Sequence, residues 1–555
     1  MTETRITFDG QPIAVRTGQT IAAALTDAGL RAFRKTAGDH PRGIFCGMGV
    51  CQDCLVTVNG VPNQRACMTK ARAGQAVETQ AAFPALDLAA ELPEAAPARI
   101  IEPEVLIIGG GAGGLSAAIA ARQAGAEVVV LDERPVAGGQ YYKQSADGPP
   151  LDAQQQEGAD LVAQAQQSGA EILGGVEIWG AFDGPLLLAE QDGAALVARP
   201  KTVIVATGAY ERPVMVPGWT VPGVMTTGAA QTLWRSYGTL PGRRVVVCGS
   251  GPLNLQVALE LAAGGAEIPL VAERAPSPFL KPVPAAQMAL ADPLLTAKGL
   301  SMILGLRRRG IPVRNRTRLH AIEAAGDGLR VHLQDGSGAV HAVETDVVCM
   351  NAGFEPQNEI LRLLGASMTY DAAFGHLRCD RSETLETTVP GVFAIGDCAG
   401  MGGAPAARVE GRIAGRAAAA MTGHGDAYDI FGDLKELRRH RRFQRSLWKL
   451  HDVSPQPLDG ASGDTTLCRC EEISLAQAIE GYAKNPGHIG TLKRGTRVGM
   501  GRCQGRYCGP VAARLVAARS GARIEDRSFF APRVPLKPVS IASILAAQEA
   551  LDAGP

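Results

Sequence analysis

The chain has 555 residues, with 55 Lys plus Arg against 55 Asp plus Glu and a formal net charge of zero. That length exceeds what one hydrophobic core organises and predicts several domains. The charge balance argues against a protein that tracks the phosphates of nucleic acid. Glycine is abundant at 67 residues and aromatics are scarce at 5%, which suits tight strand-to-helix turns and close backbone approach to bound cofactors. The start, MTETRITFDG, is polar, no secretory apolar stretch follows Met1, and no apolar run reaches the length of a transmembrane segment. A reducing, cytoplasmic setting is expected, with peripheral membrane contact through an electron acceptor left open. In that setting grouped cysteines mean metal or redox chemistry rather than disulfides.

In chain order, Thr4–Phe8 and Ile13–Val15 flank an Asp9-Gly10 turn and read as a β-hairpin. Thr20 is an N-cap for a helix through Ala28 that stops near Gly29. The segment GIFCGMGVCQDC then places Cys46, Cys51 and Cys54, and a strand with an Asn59-Gly60 turn brings back Cys67. This C-x4-C-x2-C-x12-C order is the plant-type ligand pattern for a [2Fe–2S] cluster. Gly47 and Gly49 allow the sharp bend that aims backbone N–H groups at sulfur. A zinc site or buried free thiols is the plainer alternative, although zinc loops commonly use C-x2-C pairs and only one is present. The stretch FCGMGVCQDCLVTVNGVPNQRACMT resembles the small ferredoxin-like subunits and domains of hydrogen cyanide synthase, sarcosine oxidase and related amine dehydrogenases. A Pro- and Ala-rich stretch from Ala82 to Pro103 reads as a linker.

EVLIIGGGAGGLSAAIAARQAGAEVVVLDE follows. It predicts strand Val105–Ile108, the glycines Gly109, Gly111 and Gly114 with Ala112 opening the helix, a second strand over 127–131, and an acid at Asp132 with Glu133 as its adjacent substitute. Turn, pyrophosphate approach, helix–strand packing and ribose binding require these positions in that order. Two further segments, Ala206-Thr207-Gly208 and Gly396-Asp397, each follow an apolar strand. In this order they resemble the FAD-binding pattern of flavin reductases with two dinucleotide-binding domains. The resemblance implies that Asp397 binds the ribityl chain near the second phosphate and that Gly138, Gly139 and Gln140 pass beside the flavin.

A second such unit, RVVVCGSGPLNLQVALELAAGGAEIPLVAER, has Gly249 and Gly251 but Asn254 at the third glycine position, and Ala272 where the acid is expected, followed by Glu273 and Arg274. NAD, ATP or another adenine nucleotide, or nothing at all remains open here. No C-x-x-C dithiol lies near the flavin fingerprints. Cys248 and Cys349 read as small buried hydrophobes, and Cys398 as a packing residue beside Asp397. His320, His332, His341 and His376 stand alone, so no acid–base or nucleophile constellation is visible.

The segment Asp433 to Leu450 is a basic helix that packs Leu434, Leu437 and Leu447 and solvates its arginines. Pro455, Pro457 and GASGD mark a boundary. Cys468, Cys470, Cys503 and Cys508 then form a second group, C-x-C-x32-C-x4-C, with Ser474 as the N-cap of a helix between the pairs. Arg469, Arg502 and Arg506 lie where they can offset thiolate charge; zinc is the alternative metal. This segment resembles the bacterioferritin-associated ferredoxin-like domain, a small helical [2Fe–2S] module, with the longer C-x4-C ending of opine and proline dehydrogenase large subunits. The tail APRVPLKPVSIASILAAQEALDAGP is punctuated by proline, then helical, and suits a strap onto another domain or a partner.

The fold expected is α/β. It comprises two Rossmann-like units of the two-domain flavin reductase type, an N-terminal β-grasp ferredoxin-like domain and a C-terminal small helical iron–sulfur domain. The boundaries are ferredoxin-like 1–90, linker 91–103, FAD-binding 104–225 and 346–425, NAD(P)-like 226–345, connecting helix and linker 426–463, second iron–sulfur domain 464–525 and tail 526–555. Nearly the whole chain resembles the large subunit of heteromeric FAD-dependent amine or amino-acid dehydrogenases: opine oxidases, hydrogen cyanide synthase, D-hydroxyproline and dye-linked L-proline dehydrogenases, and more distantly sarcosine oxidase. Its unusual feature is the fused ferredoxin. The resemblance implies FAD, two [2Fe–2S] clusters, a D-amino-acid-oxidase-like partner subunit that oxidises the C–N bond, and room for an FMN at the subunit interface. An NAD(P)H-dependent ferredoxin reductase and a non-enzymatic iron–sulfur delivery module are the competing readings.

Overall fold

The computed structural model describes residues 4–85, 96–425, 430–451 and 458–553. The hairpin forms as expected, with Thr4–Phe8 antiparallel to Gln11–Val15 across a turn in which Asp9 and Gly10 both have positive φ, the twist a two-residue hairpin needs. Ala76–Thr79 pairs with Thr4–Phe8 and with Leu55–Val58, and Val61–Arg65 completes a five-stranded sheet. Helix Ile21–Asp27 buries Ile21 and Leu25, and the Thr20 hydroxyl accepts the Ala23 N–H at 3.3 Å. A cap of this kind contributes about 1 kcal/mol.

The fingerprint strand Val105–Ile108 is the centre of a five-stranded parallel sheet. Val128–Asp132 and Glu171–Gly174 lie on one side, Thr202–Val205 and Val392–Ala394 on the other. The middle strands VLII, VVVLD and TVIV are buried throughout, because helices Ala112–Ala124 and Gly403–Met421 cover one face of the sheet and the antiparallel strands Val176–Phe182, Leu186–Gln191 and Ala194–Ala198 cover the other, so alternation is lost. Helices Ala112–Ala124 and Gly403–Met421 cross closely: a Cβ on Gly411 would lie 2.3 Å from the Gly113 oxygen, and one on Gly415 2.3 Å from the Ala117 oxygen.

The second unit has the sheet order Val224–Thr226, Val347–Asn351, Val245–Gly249, Val271–Glu273, Val313–Asn315. This corrects two expected boundaries. The FAD-binding domain was expected to include residues 224–225 and 346–351, but both strands hydrogen-bond within the second sheet. An apolar strand of a parallel sheet carries no mark of which sheet it joins. The expected linker is corrected as well, since Arg99–Ile101 is a strand paired with Ala194–Ala198; residues 86–95 of that linker lie outside the described ones.

The basic helix spans Phe431–His451 and buries Leu437, Phe443 and Leu450, while Arg441, Arg442 and Arg445 are exposed. Pro455 and Pro457 lie outside the described residues. The second cysteine group is carried on Thr466–Cys468, on the turn from it to Ile473–Ser474, and on the segment between helices Ile489–Thr496 and Gly509–Ser520. Ser474 and Gln477 form a reciprocal capping box. The tail helix Ile541–Asp552 packs on strand Ala194–Ala198 of the first unit. Among the described residues, no helix is long and apolar enough to cross a membrane.

Candidate cofactor and iron–sulfur sites

The residues expected at FAD, Gly114 and Gly138 apart, border one cavity at the carboxyl ends of the first sheet: Gly109, Gly111, Ala112, Asp132, Glu133, Gly139, Gln140, Ala206, Thr207, Gly208, Gly396 and Asp397. Gly114 lies beneath, where a Cβ would sit 1.9 Å from the Gly109 oxygen, and Gly139 has φ +66° and would press a Cβ to 2.7 Å from the Gly111 Cα. Helix Ala112–Ala124 has no side-chain cap at Gly111, so its first-turn N–H groups are left for an anion in the cavity. A dinucleotide pyrophosphate fits this donor set.

Asp132 accepts the Gly110 N–H at 2.6 Å and the Arg134 N–H at 2.7 Å. Burial still pushes its carboxyl up. Each oxygen keeps a lone pair for a ligand hydroxyl. The Asp397 Oδ1 takes the N–H groups of Gly402 and Gly403 at 2.9 and 2.8 Å, and burial raises this carboxyl too. Glu133 is not a spare ribose acid. It binds Arg65 at 3.1 Å and Lys537 at 2.5 Å, so it joins the ferredoxin-like domain and the tail to the first unit. Burial alone would raise its carboxyl, and Lys537 and Arg65 more than reverse this, holding it at about 2.

Several cavity residues had no local sequence signal: Met48 and Met68 from the first cysteine loop, Arg506 from the second, and Leu536 and Lys537 from the tail. They come from segments that only the fold brings together. Lys143 is a further surprise. It is buried beside Gln140, donates to Gln140 Oε1 at 2.6 Å, the Thr232 hydroxyl at 2.9 Å and the Gly228 carbonyl at 3.0 Å, and burial brings its amine down to about 7.

The second glycine unit is built alike and filled differently. Gly249 pairs in register with Glu273, so Glu273, not Ala272, is the counterpart of Asp132. One extra residue in the preceding turn hides this in the sequence. Glu273 accepts the Gly251 N–H at 3.1 Å and the Ala275 N–H at 2.9 Å. Its remaining valences go to Ser250 Oγ at 2.6 Å and His451 Nδ1 at 3.2 Å. Ser250 also touches the His451 carbonyl, and a Cβ on Gly251 would meet the Trp448 ring at 3.8 Å. The end of the basic helix therefore lies on this loop, held by Lys281, which donates to the Lys449 carbonyl at 2.7 Å. Asn254 is buried; it accepts from the Thr227 hydroxyl at 2.8 Å and donates to the Asn351 carbonyl at 3.3 Å.

Of the eight cysteines in the two groups, seven are buried and Cys470 is half-buried. Gly47 and Gly49 have φ of +62° and +75°, and the loop they bend buries Cys46, Cys51, Cys54 and Cys67. Burial would raise the Cys46 thiol, but the Cys51 thiol and the N–H groups of Met48, Cys51 and Val50 bring it down to about 7. Cys468 is brought to about 7 by the Cys508 thiol, against burial and with the N–H groups of Gly499, Glu471 and Cys470. The thiols meet in twos: Cys46 with Cys51, Cys54 with Cys67, Cys468 with Cys508, Cys470 with Cys503. Among the described residues no three His, Cys, Asp or Glu side chains converge on one ion. At Cys46, Cys51, Cys54 and Cys67 this pairing suits two irons with two thiolates each.

Two of the three arginines near the second group bind carboxylates, while Arg502 faces the charge of Cys470. Arg469 turns to Asp53, and Arg506 to Glu359 at 2.8 Å; Arg506 still lowers the Cys503 thiol by its charge, after the Cys470 thiol has done so more strongly. Cys248, Cys349 and Cys398 are fully buried packing residues. His376 is buried on Phe374 and pushed to about 3 by burial and by Arg212 and Arg378, so it is neutral and unsuited to proton transfer near pH 7.

The description Pyridine nucleotide-disulphide oxidoreductase matches residues 103–421, 2Fe-2S iron-sulfur cluster binding domain matches 1–82, and Sarcosine oxidase A3 domain matches 471–549. The A subunit of opine oxidase from Rhizobium meliloti (strain 1021) is 32% identical over 80% of this chain and 98% of its own. Hydrogen cyanide synthase subunit HcnB of Pseudomonas aeruginosa is 28% identical over 78% of this chain and 96% of its own. The crystal structure of L-proline dehydrogenase from P. horikoshii covers 98% of this chain and 97% of its own with a TM-score of 0.73, at 21% identity, a likeness of fold.

Proposed function

This chain belongs to the pyridine nucleotide-disulphide oxidoreductase family and groups with the A subunits of opine oxidases, and from that premise we propose that it is the electron-transferring FAD and iron–sulfur subunit of a heteromeric dehydrogenase or oxidase acting on the C–N bond of an amino or imino acid. The substrate class is that of opines, proline or hydroxyproline, glycine and sarcosine. The partner is a D-amino-acid-oxidase-like subunit that carries out the C–N oxidation. The observation that carries this reading is the convergence of three sites: Met48 and Met68 of the first cysteine loop and Arg506 of the second all border the dinucleotide cavity.

FAD, when bound, supplies two-electron exchange with an organic donor, and an iron–sulfur group accepts single electrons. The residues assigned to FAD are those of the cavity. The first-turn N–H groups at Ala112 face the pyrophosphate, Asp132 takes ribose hydroxyls, Asp397 and the helix it caps bind the ribityl end, and Gly139 lets the backbone pass the ring. The residues assigned to iron are Cys46, Cys51, Cys54 and Cys67, and in a bacterioferritin-associated ferredoxin-like arrangement Cys468, Cys470, Cys503 and Cys508. A reducing, cytoplasmic setting belongs to this reading, because grouped thiols serve there as metal ligands rather than as disulfides.

An NAD(P)H-dependent ferredoxin reductase is the competing enzyme. Trp448 and His451 lie where its nicotinamide nucleotide would enter the second unit, and Glu273 is bonded to its own chain, which favours the first reading. The purified chain should contain FAD and about four iron atoms. It should reduce dyes with an amine substrate only when the oxidase-like partner is added, and its flavin should not bleach with NADH or NADPH. Full amine turnover by the isolated chain, or rapid bleaching by either nucleotide, overturns the assignment.

A further inference from the structure

Residues more than 400 positions apart in the sequence form a buried junction between the two cysteine loops. Asp53 lies between Cys51 and Cys54; Arg469 lies between Cys468 and Cys470. Arg469 Nε donates to Asp53 Oδ2 at 2.6 Å, and Arg34 Nη2 donates to Asp53 Oδ1 at 3.1 Å. Asp53 is 1% exposed and Arg469 6%. The Arg469 guanidinium sits 4.0 Å from the centre of the Phe45 ring and 4.6 Å from that of Trp219, and Nη1 donates to the Trp219 carbonyl at 2.9 Å. Phe45 precedes Cys46, and its ring meets Tyr507, which precedes Cys508, at 5.5 Å. Beside this junction Glu472, two residues after Cys470, accepts from the Thr36 hydroxyl at 2.6 Å and the Gly38 N–H at 3.0 Å, and contacts His40 at 2.8 Å.

A buried carboxylate needs paired donors to remain charged. Asp53 has such donors in Arg469 and Arg34, each bonded to one of its carboxylate oxygens. Arginine suits the opposite role, because its planar fork binds a carboxylate while its faces stack on aromatic rings. The geometry thus fixes one carboxylate and two guanidiniums, those of Arg469 and Arg34, beside the two cysteine loops, in a buried setting where charges act over longer distances than in solvent. A four-thiolate [2Fe–2S] group is anionic and gains one negative charge on reduction, so neighbouring fixed charges set its potential.

We propose that Asp53 and Arg469 are positioning residues common to both cysteine loops, and that through them the two iron–sulfur sites form one electrostatic unit. This rests on the reading of both loops as iron–sulfur sites. Each site then experiences the same pair of charges, and a change at the junction is felt at both. Removing the Asp53 charge makes the added electron less costly at either site; removing the Arg469 charge makes it more so.

The test is an EPR-monitored redox titration of the anaerobically purified full chain, with iron counted first. Asp53→Asn should raise both midpoint potentials, Arg469→Gln should lower both, and the double variant should fall between the two. Arg469→Lys, which keeps the charge but loses the fork, should retain potentials nearer to those of the unsubstituted chain than Arg469→Gln does. A shift confined to one site, or shifts of the same sign from the two opposite charge removals, overturns the proposal while leaving the iron assignment intact. Iron at the first loop alone overturns the reading of the second loop and the proposal with it. The unsubstituted chain provides a second check, independent of whether the variants fold. Its fully reduced EPR spectrum should show spin–spin broadening that is absent when only one site is reduced, and two non-interacting signals overturn the proposal.

Discussion

The two glycine units use one design to opposite ends. In each, an acid pairs in register with the first glycine of the loop or its neighbour, accepts an N–H from that loop, and accepts a second N–H from two residues downstream: Asp132 from Gly110 and Arg134, Glu273 from Gly251 and Ala275. In the first unit the acid borders an open cavity. In the second it is consumed by Ser250 and His451, and a helix of the same chain lies on the loop. The glycines themselves do not distinguish the two. Gly109 would press a Cβ to 2.4 Å from the Ala206 oxygen, and Gly249 to 1.8 Å from the Asn351 oxygen, so packing demands glycine whether or not a nucleotide binds. What decides is the occupant of the space above the loop, which the motif does not encode.

The largest effect that can break this comparison is expected from the two acids. Glu273→Ala strips the partner from buried His451 and the Gly251 N–H, and should cost about 3–5 kcal/mol of stability, as breaking a buried pair does, with flavin content unchanged. Asp132→Ala should do the reverse. Loss of a carboxylate that binds a ligand hydroxyl costs about 2 kcal/mol, or on the order of 30-fold in FAD affinity, with a smaller change in stability. Thermal unfolding and flavin titration on the same two proteins read both axes; flavin loss from Glu273→Ala would mean that the second unit also holds the cofactor.

Next comes the residue after the first acid. Glu133 ties three domains together, and its carboxyl is held at about 2 against an ordinary 4.5. A depressed carboxyl gives stability that is fully present above pH 4.5 and lost as pH falls through 2. The difference corresponds to ~3 kcal/mol. Wild type and Glu133→Gln should therefore differ most near pH 6 and converge toward pH 2 in denaturant unfolding; a gap that does not depend on pH would remove the ion network as its cause.

Local chemistry was legible in the sequence, and the long-range placement was not. The hairpin at Asp9-Gly10, the Thr20 and Ser474 caps and the strand Val105–Ile108 were readable because each is set by neighbours within a few residues. The cavity residues Gly109 to Asp397 were readable because a cofactor site of this kind repeats a fixed order of strands and turns. The register of Glu273 was not readable, since one inserted residue before a strand shifts the count by one position. Nor could Arg469 be placed: a basic residue between two cysteines points to sulfur by proximity, yet its partner Asp53 comes from the other end of the chain. Likewise Leu434, Leu437 and Leu447 predict that the basic helix packs, but not that its last turn, from Trp448 to His451, covers a nucleotide loop.

The smallest effect concerns the third position of the motif. Asn254 breaks the glycine pattern and suggests a pocket altered by a polar side chain. Its amide instead joins Thr227 of one helix to the Asn351 carbonyl of the strand Val347–Asn351, so it is a tie within the protein. The first unit could not accept the same residue, because a Cβ at Gly114 would lie 1.9 Å from the Gly109 oxygen. The helix and strand of the second unit are therefore spaced for a side chain, and restoring the motif there removes bonds without bringing the backbones together. Asn254→Gly should cost ~2 kcal/mol, from two hydrogen bonds of about 1 kcal/mol each and a small helix penalty, and should leave the flavin unreactive toward NADH. If the variant instead gained NADH bleaching at unchanged stability, Asn254 rather than the end of the basic helix would be what closes the second unit.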